Sequence, residues 1–413
     1  MESKFLILIP DGAADKPIPE LGNKTILEAT DTPHLDFIAS RGKMGLLRTV
    51  PKGMNPGSEC ANMSIMGYDP RTYLTGRGPL EALSAGVSLG KNDIAFRCNL
   101  ITINEGLIKD YSSGHITTKE AVPLIRRLQH ELGGNGVDFF PGVQYRHILR
   151  LDGAKYSEKV SLTPPHDQLN KPFKQFLPEA IEATETSNQK AEYTAKTLNN
   201  LIDASHPILI NHDINKSRNL HGKRMATHIW PWGGGKKPQV KSFKEKFGLT
   251  GSVISAVDLI FGLGIAAGLD PIHVEGATGL PNTNYQGKVD AALAELKKKD
   301  FVYLHIEAID EMGHSGVPKK KMDALRDFDR FIVKPFLDAE YKFDNQLKIA
   351  VLPDHPTPCE IRTHTAEPVP FAIYDPLSDS KTPRERKFTE NNATKGELGL
   401  LEEGEEFMRL FLE

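Results

Sequence analysis

The stretch Leu347-Lys-Ile-Ala-Val-Leu-Pro-Asp354-His355 decides the predicted fold of this chain. Its apolar, β-branched run is typical of a strand that is buried on both faces of a parallel sheet. The strand ends in a carboxylate beside an imidazole, and ligands of open α/β sheets bind at the carboxyl ends of the strands. We therefore interpret Asp354 and His355 as candidate metal ligands, although a surface turn can carry the same pair.

Two further apolar runs lead to residues of the same kind. Residues 4–10 close on Asp11, and residues 300–306 lead to Asp310 and His314. Asp310 and His314 lie on one face of a predicted helical turn, a spacing that suits a shared metal ion. An Asp-Gly turn and a solvated helix pair are the simpler interpretations of each site alone. The repetition at three strand ends favours metal ligands.

Ser58 is the candidate nucleophile. It follows a Pro-Gly turn and precedes small and apolar residues, so we expect it at or beside the N-cap of a helix. Most serines at such positions only cap the helix. A nearby metal ion could lower the effective pKa of the hydroxyl, and the positive end of the helix dipole would face a group bound to its oxygen.

Composition narrows the class of protein. The chain has 413 residues, of which 39 % are hydrophobic, and this exceeds the size at which one core usually stops growing, so we expect two domains. A formal net charge of -3 gives no general preference for nucleic acid or for anionic membranes. Three widely spaced cysteines and the lack of a long apolar segment predict a soluble cytoplasmic protein without a disulfide framework.

The pattern changes between residues 97 and 238, where polar islands with histidine, arginine and aromatic residues separate helical stretches. We predict a core domain of residues 1–96 and 239–413 with an inserted domain of residues 97–238. Guanidinium and imidazolium groups match carboxylate and phosphate geometry, although each island alone could be an ordinary surface loop. The candidates for binding an anionic substrate are Arg97, Arg146, His147, His166, Asp167 and Lys236.

Other segments complete the α/β pattern. Residues 25–42 have helical periodicity, and residues 253–268 predict a largely buried helix. Residues 75–79 predict a loop, and residues 369–374 predict an edge strand because proline removes one ladder donor. The charged run of residues 319–321 predicts a solvated face.

The ordered motifs resemble the cofactor-independent phosphoglycerate mutases of the alkaline phosphatase superfamily, in the short form typical of archaea and some bacteria. The motifs that carry the resemblance are Asp11-Gly12, Gly57-Ser58-Glu59, Asp310-x-x-x-His314, Asp354-His355 and Thr363-His364-Thr365-x-x-Pro368-Val-Pro370. The resemblance implies a mostly parallel sheet sandwiched by helices, with an inserted smaller α/β lid domain.

The resemblance also implies an activity. The chain would be an isomerase that interconverts 3-phosphoglycerate and 2-phosphoglycerate without 2,3-bisphosphoglycerate, and Ser58 would carry the phosphoryl group in between. Two divalent ions would bind, Mn²⁺ first, with Zn²⁺, Co²⁺ or Mg²⁺ as the other candidates. We expect one ion at Asp310, His314 and His364 and the other at Asp11, Ser58, Asp354 and His355.

Three other functions stay open from sequence. A related phosphotransferase is one, since a homoserine kinase-like role has been proposed for some bacterial members of the short form. A phosphatase or sulfatase with the same metal centre is the second. The third is a metal-stabilised binding protein for a phosphorylated metabolite, which the aligned serine beside six metal-type ligands disfavours.

Overall fold

The structure, a computed structural model, describes residues 3–181, 185–344, 346–377 and 382–413. The chain divides into two compact units, and we call Met1–Leu74 with Gln239–Glu413 unit 1 and Thr75–Pro238 unit 2. Unit 2 ends at the same residue as the predicted insertion, Pro238, but it begins at Thr75 and not at residue 97. Residue 97 lies inside a strand, and the helix Arg77–Ser84 packs on that strand.

Strands and helices alternate along most of the chain. The strands are β1 (Lys4–Pro10), β2 (Lys43–Leu47), β3 (Ile94–Asn104), β4 (Leu107–Asp110), β5 (Val137–Phe140), β6 (Arg146–Leu151), β7 (Val160–Ser161), β8 (Glu179–Ala180), β9 (His228–Lys236), β10 (Gly251–Ile254), β11 (Asp270–Ile272), β12 (Phe301–Ile306), β13 (Leu347–Val351), β14 (Val369–Tyr374) and β15 (Leu400–Leu401). The helices are α1 (Ile26–Ala29), α2 (Pro33–Arg41), α3 (Ser58–Ile65), α4 (Pro70–Tyr73), α5 (Arg77–Ser84), α6 (Thr118–Leu132), α7 (Glu185–Ile210), α8 (Asp213–Leu220), α9 (Phe243–Phe247), α10 (Asp258–Ala266), α11 (Tyr285–Leu296), α12 (Ala308–His314), α13 (Pro318–Phe328), α14 (Lys334–Asp338), α15 (Glu390–Thr394) and α16 (Gly404–Leu412).

The central sheet of unit 1 has eight strands among the described residues, in the order β11-β10-β12-β1-β13-β14-β2-β15. The strands from β11 to β13 run parallel to one another, and β14 runs antiparallel to its two neighbours. A parallel arrangement brings the carboxyl ends of β1, β12 and β13 to the same edge. The predicted α/β fold with a mostly parallel sheet is confirmed.

Helices cover both faces of this sheet, because alternate residues of each strand point to opposite sides. Leu6 and Leu8 of β1 belong to the same hydrophobic cluster as Val289 of α11. On the other face Phe5 packs edge-to-face against Phe411 of α16, with 5.6 Å between the ring centroids. Burial on both faces explains why the strand sequences are almost continuously apolar.

Strand β14 is not the predicted edge strand, because it lies between β13 and β2. Its proline is tolerated there for a local reason. Strand β13 pairs only with Ala372, Ile373 and Tyr374, so Pro370 lies beyond that ladder and its missing N–H removes no hydrogen bond to β13.

Two predicted boundaries are also wrong. Residues 253–268 do not form one helix, since the run begins in β10 and the helix α10 starts only at Asp258. A short apolar run does not separate a buried strand from a buried helix by periodicity alone. The predicted loop of residues 75–79 likewise ends early, because α5 begins at Arg77.

Unit 2 contains an antiparallel sheet in the order β4-β3-β6-β5, with β9 paired to β3. Phe96 and Cys98 of β3 join the hydrophobic cluster that includes residues of α6 and α7. Arg97 and Asn99 alternate with them and so project from the opposite side of the strand. Among the described residues, none of the helices of either unit is both long and apolar enough to cross a membrane.

Candidate metal centre

The predicted metal ligands of unit 1 meet at the carboxyl ends of β1, β12 and β13. The N–H of Asp11, just after β1, donates to the carbonyl of Ile306 at the end of β12, with 3.1 Å between the two atoms. The N–H of Gly12 donates to Oδ1 of Asp354, which follows β13, at 3.1 Å. These bonds hold the loops after β1 and β13 and the end of β12 against one another.

Asp310, His314 and His364 form the first group of candidate ligands, with one ligand atom from each within 4.8 Å of the others. Nε2 of His314 lies 3.1 Å from Oδ2 of Asp310, and Nε2 of His364 lies 3.5 Å from Oδ1. Nδ1 of His314 lies 2.9 Å from the carbonyl of Arg362, which only accepts, so Nδ1 carries the proton of a neutral ring. The lone pair of Nε2 is then available to an ion.

Asp11, Asp354 and His355, the predicted ligands of the second ion, lie beside Ser58. Nε2 of His355 is 3.2 Å from Oγ of Ser58, 3.4 Å from Oδ2 of Asp354 and 3.8 Å from Oδ1 of Asp11. Asp11 and His355 also form a compact group with Asp310, which connects the two predicted sites. Asp11, Asp354 and His355 are buried, whereas His314 and His364 are partly exposed.

Ser58 is the first residue of α3, and Gly57 occupies the N-cap position in an extended conformation. Two residues that the sequence did not single out fix this helix against the ligands. Asn62, one turn after Ser58, donates to Oδ2 of Asp354 at 2.8 Å, and the hydroxyl of Tyr303 donates to Oδ1 of Asn62 at 2.5 Å. The spacing of Ser58 and Asn62 on one helical face was the signal that could have identified Asn62.

His305 is a further residue that sequence reasoning missed. The apolar run of residues 300–306 predicts only a strand there, yet His305 forms a compact group with Asp11 and Asp354. Nε2 of His305 lies 3.1 Å from Oδ2 of Asp11. Burial lowers the pKa of His305 to about 4, so its ring is neutral at physiological pH.

The charges of the centre are unbalanced in a way that divalent cations would correct. Burial and the neighbouring carboxylates of Asp354 and Asp310 raise the pKa of Asp11 well above its ordinary value. Burial alone would raise the pKa of Asp310 as well, but hydrogen bonds from His314 and His364 lower it well below the ordinary value. Oδ1 of Asp11 is buried without a hydrogen-bond partner among the described residues. Grouped carboxylates and imidazoles therefore fit divalent ions.

Three of the residues predicted to bind substrate share one cluster in unit 2. The guanidinium of Arg97 lies over the rings of Trp232 and Tyr145, at 5.0 Å and 5.9 Å from their centroids. Arg146 lies over Tyr145 at 5.7 Å, and the ring of His166 packs edge-on against Trp232 at 5.4 Å. We call these five residues the cationic cluster. Cation–π contacts help to hold the two guanidinium groups in place, and Arg97 is also paired with Glu81 at 2.9 Å.

The other predicted substrate-binding residues of unit 2 are placed differently. Asp167 is exposed and lies 3.7 Å from His166. His147 is paired with Cys98 in the sheet and is buried, and burial lowers its pKa to about 3. Lys236 forms an ion pair with Glu158 at 3.0 Å. These placements do not support substrate contacts for His147 and Lys236.

Such a centre defines a class, the α/β enzymes whose metal ions act at the ends of parallel strands beside a serine. Known proteins identify the family within that class. Residues 39–215 match the family model of 2,3-bisphosphoglycerate-independent phosphoglycerate mutase. The chain belongs to this family, because it is 47% identical over 398 residues to the mutase of that name from Methanosarcina mazei, across 96% of this chain and 97% of that protein.

Other relatives agree. The chain is 45% identical to a mutase of the same name from Methanothermobacter thermautotrophicus, across 97% of this chain and 95% of that protein. A solved structure of a cofactor-independent phosphoglycerate mutase from Thermoplasma acidophilum superposes with a TM-score of 0.68 at 26% identity and covers 99% of each chain. The family and the fold implied by the sequence motifs are both confirmed.

Proposed function

We propose that this protein interconverts 3-phosphoglycerate and 2-phosphoglycerate through a phosphoserine formed at Ser58, without 2,3-bisphosphoglycerate. The observation that carries the proposal is the position of Ser58 at the N-terminus of α3, with its oxygen 3.2 Å from Nε2 of His355. Ser58 therefore lies beside the candidate metal ligands, which supports its proposed role as the nucleophile. The names of the relatives support the substrate.

Two groups of side chains would hold the ions. Asp310, His314 and His364 would bind one, and Asp11, Asp354 and His355 with Ser58 would bind the other. When bound, the ions neutralise phosphate charge and lower the effective pKa of the serine hydroxyl. The mixture of carboxylates and imidazoles suits Mn²⁺, with Zn²⁺, Co²⁺ and Mg²⁺ as the other candidates.

The residues of the chain position the reacting groups for two successive phosphoryl transfers. The oxygen of Ser58 loses its proton and attacks the phosphorus of 3-phosphoglycerate; the bond from phosphorus to the C3 oxygen breaks, and glycerate takes up a proton. The C2 hydroxyl of the retained glycerate then loses its proton and attacks the phosphoserine, which frees Ser58. The backbone N–H groups at the start of α3 face the phosphoryl group and favour its negative charge.

We propose that the cationic cluster of unit 2 binds the carboxylate of the substrate. Nη1 of Arg97 donates to Oε1 of Glu81 at 2.9 Å and Nε donates to Oδ1 of Asn99 at 3.2 Å, which leaves the remaining guanidinium N–H groups for a ligand. Asn99 holds this guanidinium in place, because its Oδ1 also accepts from Nε1 of Trp232 at 3.1 Å and its amide donates to the carbonyl of Tyr111 at 3.2 Å. Retention of glycerate distinguishes a mutase from a phosphatase, because water would otherwise take the phosphoryl group.

We also propose a reducing compartment such as the cytoplasm. Cys60, Cys98 and Cys359 are all buried and unpaired. Burial raises the pKa of the Cys98 thiol to about 12, so it stays protonated and inert. Free buried thiols of this kind are usual in reducing compartments.

Ser58→Ala tests the nucleophile. We expect the variant to lose mutase turnover by about three orders of magnitude or more, because it lacks the hydroxyl that lies 3.2 Å from Nε2 of His355 at the start of α3, while it still binds two Mn²⁺ ions. Formation of 2-phosphoglycerate from 3-phosphoglycerate with Mn²⁺ is measured alongside mass spectrometry of the quenched enzyme, which should find a phosphate on the peptide carrying Ser58. Ser64→Ala, on the same helix, is the matched control. Near-normal turnover in the Ser58 variant would require a different nucleophile.

A further inference from the structure

We propose that His305 is a ligand of the divalent ion that Asp11 and Asp354 hold, and that Ser255 orients its ring. The inference deepens the proposed function, since it depends on a metal centre at these carboxylates. It adds an imidazole from the interior of a strand to ligands that otherwise come from the loops and the helix that follow the strands.

The spacing of the donor atoms fits a shared ion. Nε2 of His305 lies 3.1 Å from Oδ2 of Asp11, and one ligand atom from each of His305, Asp11 and Asp354 lies within 4.8 Å of the others. Ligand atoms bound at about 2.1 Å to one ion lie roughly 3 to 3.5 Å apart. The two closest atoms are therefore already at the separation of neighbouring ligands.

The hydrogen bonds of His305 argue against a role as a core-filling residue. The side chain is 0% exposed. Despite its short approach to Asp11, Nε2 has no aligned hydrogen-bond partner among the described residues, and the same holds for Oδ1 of Asp11. Buried polar atoms without partners are costly and uncommon. An ion between the two side chains would satisfy both atoms.

The other ring nitrogen has the environment expected of a metal-bound imidazole. Nδ1 of His305 lies 3.3 Å from Oγ of Ser255, which is itself buried. Oγ of Ser255 accepts from the N–H of Val257 at 3.0 Å, and this bond fixes the hydroxyl. Ligating histidines usually have the second nitrogen hydrogen-bonded, which sets the ring orientation. Ser255 therefore acts as a positioning residue.

The sheet places His305 rigidly. In the parallel register between β12 and β1, His305 lies beside Ile9, two residues before Asp11. The bond from the N–H of Asp11 to the carbonyl of Ile306 holds the aspartate against the next residue of the same strand. The ring and the carboxylate are thus brought together by backbone pairing, and Ser255 follows the strand on the other side of β12.

Two substitutions of His305 distinguish the role of Nδ1 from the role of Nε2. His305→Asn keeps a polar group near the position of Nδ1, facing Ser255, but removes the donor at the position of Nε2. His305→Gln removes the group at the position of Nδ1 but offers an amide oxygen to the ion near the position of Nε2. Ser255→Ala removes only the orienting hydroxyl. Ser252→Ala is the matched control, because Ser252 is a buried serine of the adjacent strand that bonds Glu295 instead of His305.

Binding of Mg²⁺, Mn²⁺ and Co²⁺ to the full metal-free chain is measured by titration calorimetry, with electron spin echo of the Mn²⁺-loaded protein to detect coordinated histidine nitrogen. We expect His305→Asn to weaken the second Co²⁺ by roughly tenfold or more and the second Mg²⁺ less, because imidazole favours the borderline ions. His305→Gln should retain more Mg²⁺ affinity than His305→Asn. Ser255→Ala should weaken the second ion by about tenfold, and Ser252→Ala should not.

Unchanged affinities and an unchanged nitrogen signal in His305→Asn would overturn the assignment. An equal loss of both ions in all four variants, with a fall in melting temperature, would overturn it in favour of a packing role. A wild-type protein that binds no ions at these carboxylates would instead overturn the metal centre of the proposed function, so the two failures are distinguishable.

Discussion

The protonation of His314 makes the charge of the metal-free centre depend on pH. Its hydrogen bond to Asp310 raises the pKa of the imidazole from 6.5 to about 9. The folded protein therefore holds this proton more tightly than the unfolded chain. The contribution to the free energy of unfolding is fully present below about pH 6.5 and is lost as the pH rises through about 9.

Metal binding reverses this preference, because only the neutral imidazole ligates. We expect the Mn²⁺ affinity of the Asp310, His314 and His364 group to rise with pH up to about 9, with release of close to one proton per ion at neutral pH. Calorimetry in two buffers with different ionisation enthalpies measures that proton. His314→Gln should lose one ion and the proton release, whereas His130→Gln, at an exposed histidine, should lose neither. A pH-independent affinity would contradict the expectation.

The sequence predicted some residues of the centre and not others for a physical reason. Asp11 and Asp354 were predictable because they end apolar runs, where a polar residue stands out against the pattern. Asn62, Tyr303 and His305 lie inside elements that are otherwise buried. Asn62 could have been noticed only from its spacing to Ser58. The roles of Tyr303 and His305 depend on contacts between residues distant in sequence, such as the 2.5 Å bond from Tyr303 to Asn62, and no local pattern records such contacts.

Among the elements, α13 contains a buried charged residue, Lys321, that the sequence pattern did not identify as buried. The prediction that residues 319–321 form a solvated face is wrong for Lys321, which is 0% exposed. Its ammonium donates to the carbonyls of Ala14 and Thr357 at 3.1 and 2.8 Å and to Oδ2 of Asp15 at 2.9 Å. Lys321 therefore ties the loop after β1 to the loop after β13, next to the candidate ligands.

Lys321→Met tests this connection. Methionine has a similar length but leaves the buried carboxylate of Asp15 without its cation, so we expect a loss of about 3–5 kcal/mol in the free energy of unfolding. Urea denaturation of the metal-free protein measures the loss. Lys320→Met, at the exposed neighbouring residue, is the matched control and should change the value by less than about 0.5 kcal/mol. Equal stability of the two variants would show that the buried pair does not hold the loops.

For the whole molecule, the change of sequence pattern predicts an insertion whose first residue differs from that of unit 2. The polar islands begin near Arg97, whereas unit 2 already begins at Thr75. The missed part includes α5, whose buried residues Leu80 and Ala82 resemble any core helix. The unit to which α5 belongs is decided by the sheet on which it packs. The sequence of the helix does not identify that sheet.

We expect unit 1 to carry out phosphoryl transfer to Ser58 and unit 2 to retain glycerate. The chain enters and leaves unit 2 at adjacent points, since the hydroxyl of Thr75 donates to the carbonyl of Lys236. Replacing residues 75–238 by a short Gly-Ser linker should therefore leave unit 1 folded, with two Mn²⁺ ions bound. Ser58 should still accept a phosphoryl group, but without the cationic cluster glycerate escapes and water becomes the acceptor. We expect slow phosphate release from 3-phosphoglycerate and no 2-phosphoglycerate, with the same deletion carrying Ser58→Ala as the control. Formation of 2-phosphoglycerate by unit 1 alone would show that unit 2 does not retain glycerate.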